Sequence, residues 1–491
     1  MPVLTAILLC PAAALVLVLL MPAGARSAVR WISLLSSLVA TVLSLWVWLG
    51  YDAADGGMQF VERIPWVERL GISYHLAVDG FTTILVMLNS IVYLTGVLTM
   101  WDLEERVKGF FAFMLLLVVG VYGVFLSQDL FFLFFFYEVA VVPMYPLILI
   151  WGSGNREYAA MKLMLFLLAG SALLFPALLS IYHASGLNTF DMVVLSRHAF
   201  DPDFQVFVYP FVFVGFGVLA GLFPFHGWSP TGHVAAPSAV SMLHAGVLMK
   251  LGAYGILAAG IRILPIGAVH WAPVFAVLAA VGVVYGAFVA MRQSDFKFVV
   301  GFSSVSHMGI VILGLNLAVL GKAGADALNG AVFQMFAHGI MTALFFSIVG
   351  FIYDRSHSKT ISDFGGLGSQ MPRAVSVFIV AGLCGAGMPG LASFWAELLV
   401  FLAALKTYPV MGVAVIAGLV LTAVYVLRVF SLAFFGPVNE RWNGLRDLDL
   451  AGVHLVPRAI LVAVLLLFGF YPRALLDVID GTTAAMIAGF P

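Results

Sequence analysis

Apolar runs long enough to cross a hydrocarbon core of about 30 Å follow one another almost without pause. They fall at 3–20, 29–49, 80–101, 109–126, 130–150, 160–183, 206–223, 238–264, 271–291, 297–319, 327–353, 372–406, 409–435 and 456–472. The pattern predicts an all-α membrane protein, a single polytopic domain of about 14 transmembrane helices with both ends on one side. Nothing basic precedes the first run, while Arg26 and Arg30 follow it. That charge order fits a retained first helix with its N-terminus outside, not a secretory leader.

Two spans are interrupted at matching places: the seventh at Pro224, and the twelfth at Gly387, Met388, Pro389 and Gly390. The breaks lie five spans apart, and five is odd, so a repeat of five helices is inverted in the membrane. The expected organisation is N-terminal helices over 1–108, a first repeat over 109–264 (spans 4–8), a second over 271–435 (spans 9–13), and a C-terminal helix and tail over 456–491. A broken helix frees backbone groups that survive at membrane depth only beside water or protein, so such pairs point to ion or proton routes.

With the N-terminus outside, 15 of the Lys and Arg residues fall on the inward side, Arg156 and Arg446 among them, and 7 on the outward side, among them Arg197 and Lys322. The excess favours both termini outside. The chain is 63% hydrophobic and 10% charged, against roughly a quarter charged in soluble domains. Net charge is −1 and no basic tract interleaves with aromatics, which argues against a nucleic-acid partner. Cys10 and Cys384 are the only cysteines, both inside apolar runs. No disulfide framework, iron–sulfur motif or zinc spacing can be built from two such residues, and no glycine-rich strand-to-helix turn offers a flavin or nicotinamide site. Redox chemistry, if any, is expected on other chains.

Against this background the ionisable groups at membrane depth stand out. Lys250 lies near the middle of the eighth span, among Leu248, Met249 and Leu251. A lysine there costs about 2.5 to 3.5 kcal/mol on insertion scales and calls for a partner, a water-filled cavity or a function. Glu138 lies eight residues into the fifth span, followed by Pro143 and Pro146, whose missing amides leave carbonyls free for hydration. Glu397 lies about two turns past the second break, and His307 and His338 occupy the tenth and eleventh spans. Histidine titrates nearest neutrality, so a buried series can relay protons. His226 and His233 are spaced like metal ligands, but no third ligand of matching kind lies nearby, and a metal site is rejected. Glu138, Lys250, His338, Glu397 and His307 are all proton-exchanging types, and no selectivity filter or nucleotide loop competes with them.

Several stretches resemble, over nearly the whole length, the antiporter-like proton-translocating membrane subunits of respiratory complex I (NADH:quinone oxidoreductase), on the subunit M or chain 4 branch. They are Glu138 with VVPMY after it, PFHGWSPTGHVAAP leading to LMKLGAYG, SDFKFVVGFSSVSHMG, QMFAHG, YDRSHSKTISDFGGL, and GMPG with Glu397 eight residues beyond Pro389. Chain 5 types share this core but add a long lateral helix and further spans, for which no segment is seen. The resemblance implies roles for Glu138, Lys250, His338 and Glu397. It also implies partners among other membrane-arm subunits of a large respiratory complex, flavin, iron–sulfur clusters and quinone on those partners with none in this chain, and a bacterial inner membrane.

Two positions depart from the family pattern. Leu219 stands where a lysine is usual, seven residues before His226, and Val139 stands where a tryptophan often follows the glutamate. The usual cationic partner of Glu138 is therefore missing. Water admitted by Pro143 and Pro146, or His226 or His233 reaching back, are the expected substitutes. The leading reading is a subunit that moves protons outward while other chains oxidise NADH and reduce quinone. Alternatives are a multisubunit sodium/proton antiporter or membrane-bound hydrogenase subunit, or a non-pumping structural subunit.

Overall fold

The computed structural model describes residues 2–321, 323–442 and 448–490; Lys322 and Arg446, both in the charge count above, lie outside them. The chain opens with α1 (Val3–Leu20) and α2 (Arg26–Gly50), then a two-stranded antiparallel hairpin of β1 (Gln59–Val67) and β2 (Ile72–Val78). Next come α3 (Gly80–Thr99) and α4 (Val107–Leu126), followed by α5 (Leu130–Val141) and α6 (Met144–Trp151), which share one span bent at Val142 and Pro143. α7 (Arg156–Ser185), the single turn α8 (Met192–Leu195), α9 (Pro202–Ala220) and α10 (Trp228–Ala235) precede the span Ser238–Ile261. That span reads α11 (Ser238–Leu243), a π-wound turn His244–Leu248, α12 (Met249–Gly255) and a second π-wound turn Ile256–Ile261. Then follow α13 (Pro265–Arg292), α14 (Phe296–Ala318), α15 (Gly324–Ser356), the short α16 (Leu367–Gln370), α17 (Pro372–Gly385), α18 (Ala392–Thr407), α19 (Pro409–Val429), α20 (Leu455–Phe470) and α21 (Arg473–Ile487).

Among the described residues, 13 helical spans are long and apolar enough to cross a membrane. The fourteenth expected span is the interrupted one. α17 and α18 have 14 and 16 residues, and each half is too short to cross alone. The break between them runs through Gly387 and Gly390 at φ +68° and +91°, a backbone that side-chain-bearing residues rarely adopt. In the seventh span α9 is capped at Gly221, with φ +79°, and after a 3-10 turn over Phe225–Gly227 the α-helix resumes at Trp228.

Burial sorts the helices by layer. The Ser238–Ile261 span and the central stretches of α3 and α15 are enclosed by the rest of the chain. α1, α2, α7, α13, α19 and α20 keep more of their length exposed and form the perimeter. At the centre Gly246 and Gly339 face one another. A Cβ on Gly339 would lie 2.6 Å from the Gly246 carbonyl oxygen, so only glycine permits this contact.

One end of the bundle carries the hairpin, α8 and α21. Leu76 bridges Ser127, and Asp129 bridges Asp191. Thr482 on α21 accepts from the Gly80 amide at 2.9 Å, and Thr483 donates to Asn329 at the start of α15 at 2.6 Å. At the opposite end Asp295 bridges Thr360, and Lys359 Nζ donates to Ser153 at 2.6 Å. The hairpin and α21 were not foreseen, because neither forms an apolar run of membrane length.

Candidate functional site

Lys250 is fully buried, and its helix is shaped around it. π winding shifts amide bonds from the i−4 to the i−5 carbonyl, and the Met249 amide accordingly bonds the His244 oxygen. Side chains on a helix lean toward its N-terminus. Lys250 leans that way and donates from Nζ to the Ala245 carbonyl at 2.6 Å. Its second partner comes from α15, where His338 Nδ1 lies 2.7 Å from Nζ. The Gly246–Gly339 contact lies beside this pair and sets the approach of the two backbones.

His338 continues the series. Its Nε2 has no hydrogen-bond partner, and its ring centroid lies 5.4 Å from that of His307 on α14. His307 Nδ1 lies 3.1 Å from Glu397 Oε1, and Gln334 Nε2 donates to the same oxygen at 3.1 Å. Gln334 Nε2 also lies 3.3 Å from His307 Nδ1. Both nitrogens are hydrogen-bearing when they serve the carboxylate, so the third side of the triangle is a contact, not a further bond. Gln334 and His338 are four residues apart on α15, hence on one face. Glu397 is buried on α18, with Oε2 unpartnered and turned toward Gly387, where an added Cβ would lie 2.9 Å away. Lys250, His338, His307 and Glu397 thus form one buried series from α12 through α15 and α14 to α18.

A second buried group lies on the other side of Lys250, toward α10. His233 Nε2 shares a hydrogen bond with Ser229 Oγ at 3.0 Å, and its ring centroid is 4.4 Å from that of His244. His244 stacks on Trp228 at 5.0 Å with both ring nitrogens unpartnered. Lys297, buried at the start of α14, donates to the Ala236 carbonyl at 2.8 Å. Sequence reasoning weighed His226 and His233 as metal ligands and as substitute partners of Glu138, and gave no role to His244, Lys297 or Gln334. Proximity to the seventh-span break and to Lys250 was the available signal for the histidines; nothing in the sequence marked Gln334.

Glu138 does not join the series. It is half-buried, accepts from Ser171 on α7 at 2.5 Å, and borders a cavity of about 240 Å³ lined by Phe131, Phe134, Phe135 and Phe175. Leu219 is fully buried. The expected histidine substitutes are corrected by the geometry. His226 packs 5.5 Å from the Phe223 ring and 5.1 Å from Tyr285 on α13, while His233 is held by Ser229. Neither reaches Glu138, because the break turns the loop toward α13 and α14.

Residues 127–423 match the family described as NADH:quinone oxidoreductase/Mrp antiporter, transmembrane. The chain is 36% identical over 469 residues to NADH-quinone oxidoreductase subunit M of Pseudomonas aeruginosa, covering 91% of this chain and 90% of that protein. It is 35% identical over 502 residues to an NAD(P)H-quinone oxidoreductase chain 4 of Synechococcus elongatus, covering 99% and 92%. Among solved structures it superposes on a chain of respiratory complex I from Thermus thermophilus with TM-score 0.89 at 26% identity, over 100% of both chains. A chain of the Mrp complex from Dietzia shares the fold, with TM-score 0.79 at 22% identity over 99% and 96%.

Proposed function

The chain belongs to the NADH:quinone oxidoreductase/Mrp antiporter transmembrane family, and on that premise we propose that it is a proton-translocating membrane-arm subunit of an NADH:quinone oxidoreductase. The observation that carries this reading is the 2.7 Å contact between Lys250 and His338, two fully buried proton-exchanging groups. An amine there is costly unless it works. The contact pairs it with a neutral acceptor, not a carboxylate, so a proton on Nζ has somewhere to go.

Protons enter from the end that carries Lys297 and Lys359 and reach Lys250 past His233 and His244. His338 Nδ1 accepts from Lys250, and its free Nε2 faces the His307 side. A proton passes on to Glu397, whose unpartnered Oε2 opens toward the Gly387 break. Flavin, iron–sulfur clusters and quinone belong to partner chains in this reading. The two five-helix units, 109–264 and 271–435, are inverted repeats in this reading, and the hairpin end faces outward with both termini. Glu138 serves the flank of the bundle, where Ser171 replaces the missing lysine as its partner.

Gentle solubilisation of the native membrane and capture of this chain tests the reading. Flavin and iron–sulfur proteins should co-purify with NADH oxidation and quinone reduction. Recovery with antiporter subunits alone would overturn it.

A further inference from the structure

We propose that Tyr254 and the Asp79–Arg262 ion pair form a gated outward exit for protons held at Lys250, opening into a vestibule beneath the hairpin and α21. The inference rests on the proposed movement of protons through Lys250. Tyr254 lies one turn beyond Lys250 on α12, on the same face of the helix. It is fully buried, its hydroxyl makes no well-formed hydrogen bond, the Gln128 amide is the neighbouring group that could provide one, and the charges of Asp79 and Arg262 lie within electrostatic reach. The π-wound turn Ile256–Ile261 then leads to Arg262.

Arg262 pairs with Asp79, and both side chains are largely enclosed. Asp79 also caps α3, accepting from the Thr82 amide at 2.8 Å. Burial works against the Asp79 carboxylate, yet the Arg262 guanidinium and the Thr82 amide outweigh it and hold its carboxyl below the ordinary range. Beyond the pair lies a cavity of about 360 Å³ lined by Asp79, Arg262, Gln128, Ser196, Arg197 and Thr482. The pair therefore stands between a cavity roomy enough for several waters and a buried hydroxyl one turn from the central lysine.

A purely structural role explains this arrangement less well. Desolvated ion pairs contribute little net stability and are often replaceable by apolar side chains. An unpartnered tyrosine hydroxyl costs free energy unless something transient occupies it. A tyrosine oxygen can accept a proton while its own hydrogen passes onward, so charge crosses without net change in the residue. Asp79 takes that proton on one oxygen while Arg262 holds the other, then releases it to the vestibule. At rest the ion pair closes the route to water.

The test uses the assembled complex in vesicles, with NADH-driven quinone reduction and proton uptake measured together. Tyr254→Phe and Asp79→Asn should assemble and reduce quinone, yet lose part of the share of the proton-to-electron ratio that Lys250→Met loses, the remainder leaving by way of Glu397; Asp79→Glu should restore it. An Ala258→Cys thiol in the vestibule wall should react with an impermeant maleimide from the outer side. Parent-like ratios in Tyr254→Phe and Asp79→Asn beside a deficient Lys250→Met would overturn the exit and leave the wider reading standing. A full ratio in Lys250→Met would overturn both. An Ala258→Cys thiol unreactive from outside would close the vestibule and end the proposal.

Discussion

Glu397 keeps Oε1 in the triangle with His307 and Gln334 and turns Oε2 toward Gly387. The glycine is needed twice over there. Its φ of +68° costs other residues about 1 to 2 kcal/mol, and a Cβ would press on the carboxylate at 2.9 Å. Gly387→Ala should therefore lower the thermal midpoint of the assembled complex and reduce its proton-to-electron ratio; a parent-like value of both would show that this contact constrains nothing. Lys250, His338, His307 and Glu397 were legible in the sequence because charge or imidazole inside an apolar run is costly and conspicuous. Gln334 was not, since an uncharged amide raises no such signal. Glu138 was equally conspicuous as a carboxyl in an apolar run, but its separation from the Lys250 series was not legible. Depth along a helix follows from counting, whereas the face it presents depends on how α5 packs on α7.

At the scale of elements, both breaks were visible as Pro and Gly in apolar runs, and the structure has them. The π-wound turns around α12 were invisible, because their winding answers to tertiary packing and not to local propensity. The hairpin was missed for a different reason: β1 and β2 are seldom fully apolar and gain their place through neighbours such as Asp129. Asp129 caps α5 and accepts from the Ser73 amide on β2 at 3.0 Å. Burial outweighs the backbone amides that favour its ionised form and pushes its carboxyl up to about 6. With a folded value above the unfolded one, the folded state binds more protons between the two. Stability then falls as pH rises toward about 6 and is flat above. Hydrogen exchange at the Ser73 amide, corrected for intrinsic rate, should report a larger opening free energy at pH 5 than at pH 7, and Asp129→Asn should flatten the profile. A flat profile in the parent would contradict this.

For the whole molecule, the apolar runs and their lysine and arginine asymmetry carry the architecture, since bilayer thickness fixes helix length and charge fixes orientation. The sequence could not show which helices are central. The cores of α3, the Ser238–Ile261 span and α15 are enclosed although these spans are less apolar than the perimeter helices, so greater hydrophobicity is no guide to the centre. Orientation has a direct consequence. A cysteine at Arg197, on the hairpin end, should react with an impermeant thiol reagent from outside, and one at Arg156 only from inside. Reversed labelling would overturn the proposed direction of transport.

The central claim is that protons pass through the enclosed series at Lys250, and one measurement addresses it without intermediaries. Lys250→Met keeps the side-chain volume and removes the charge, so packing around His338 and the Gly246–Gly339 contact should survive. In vesicles containing the whole complex, proton uptake per electron should fall severely while all subunits remain assembled. Uptake per electron equal to that of the parent would contradict the account.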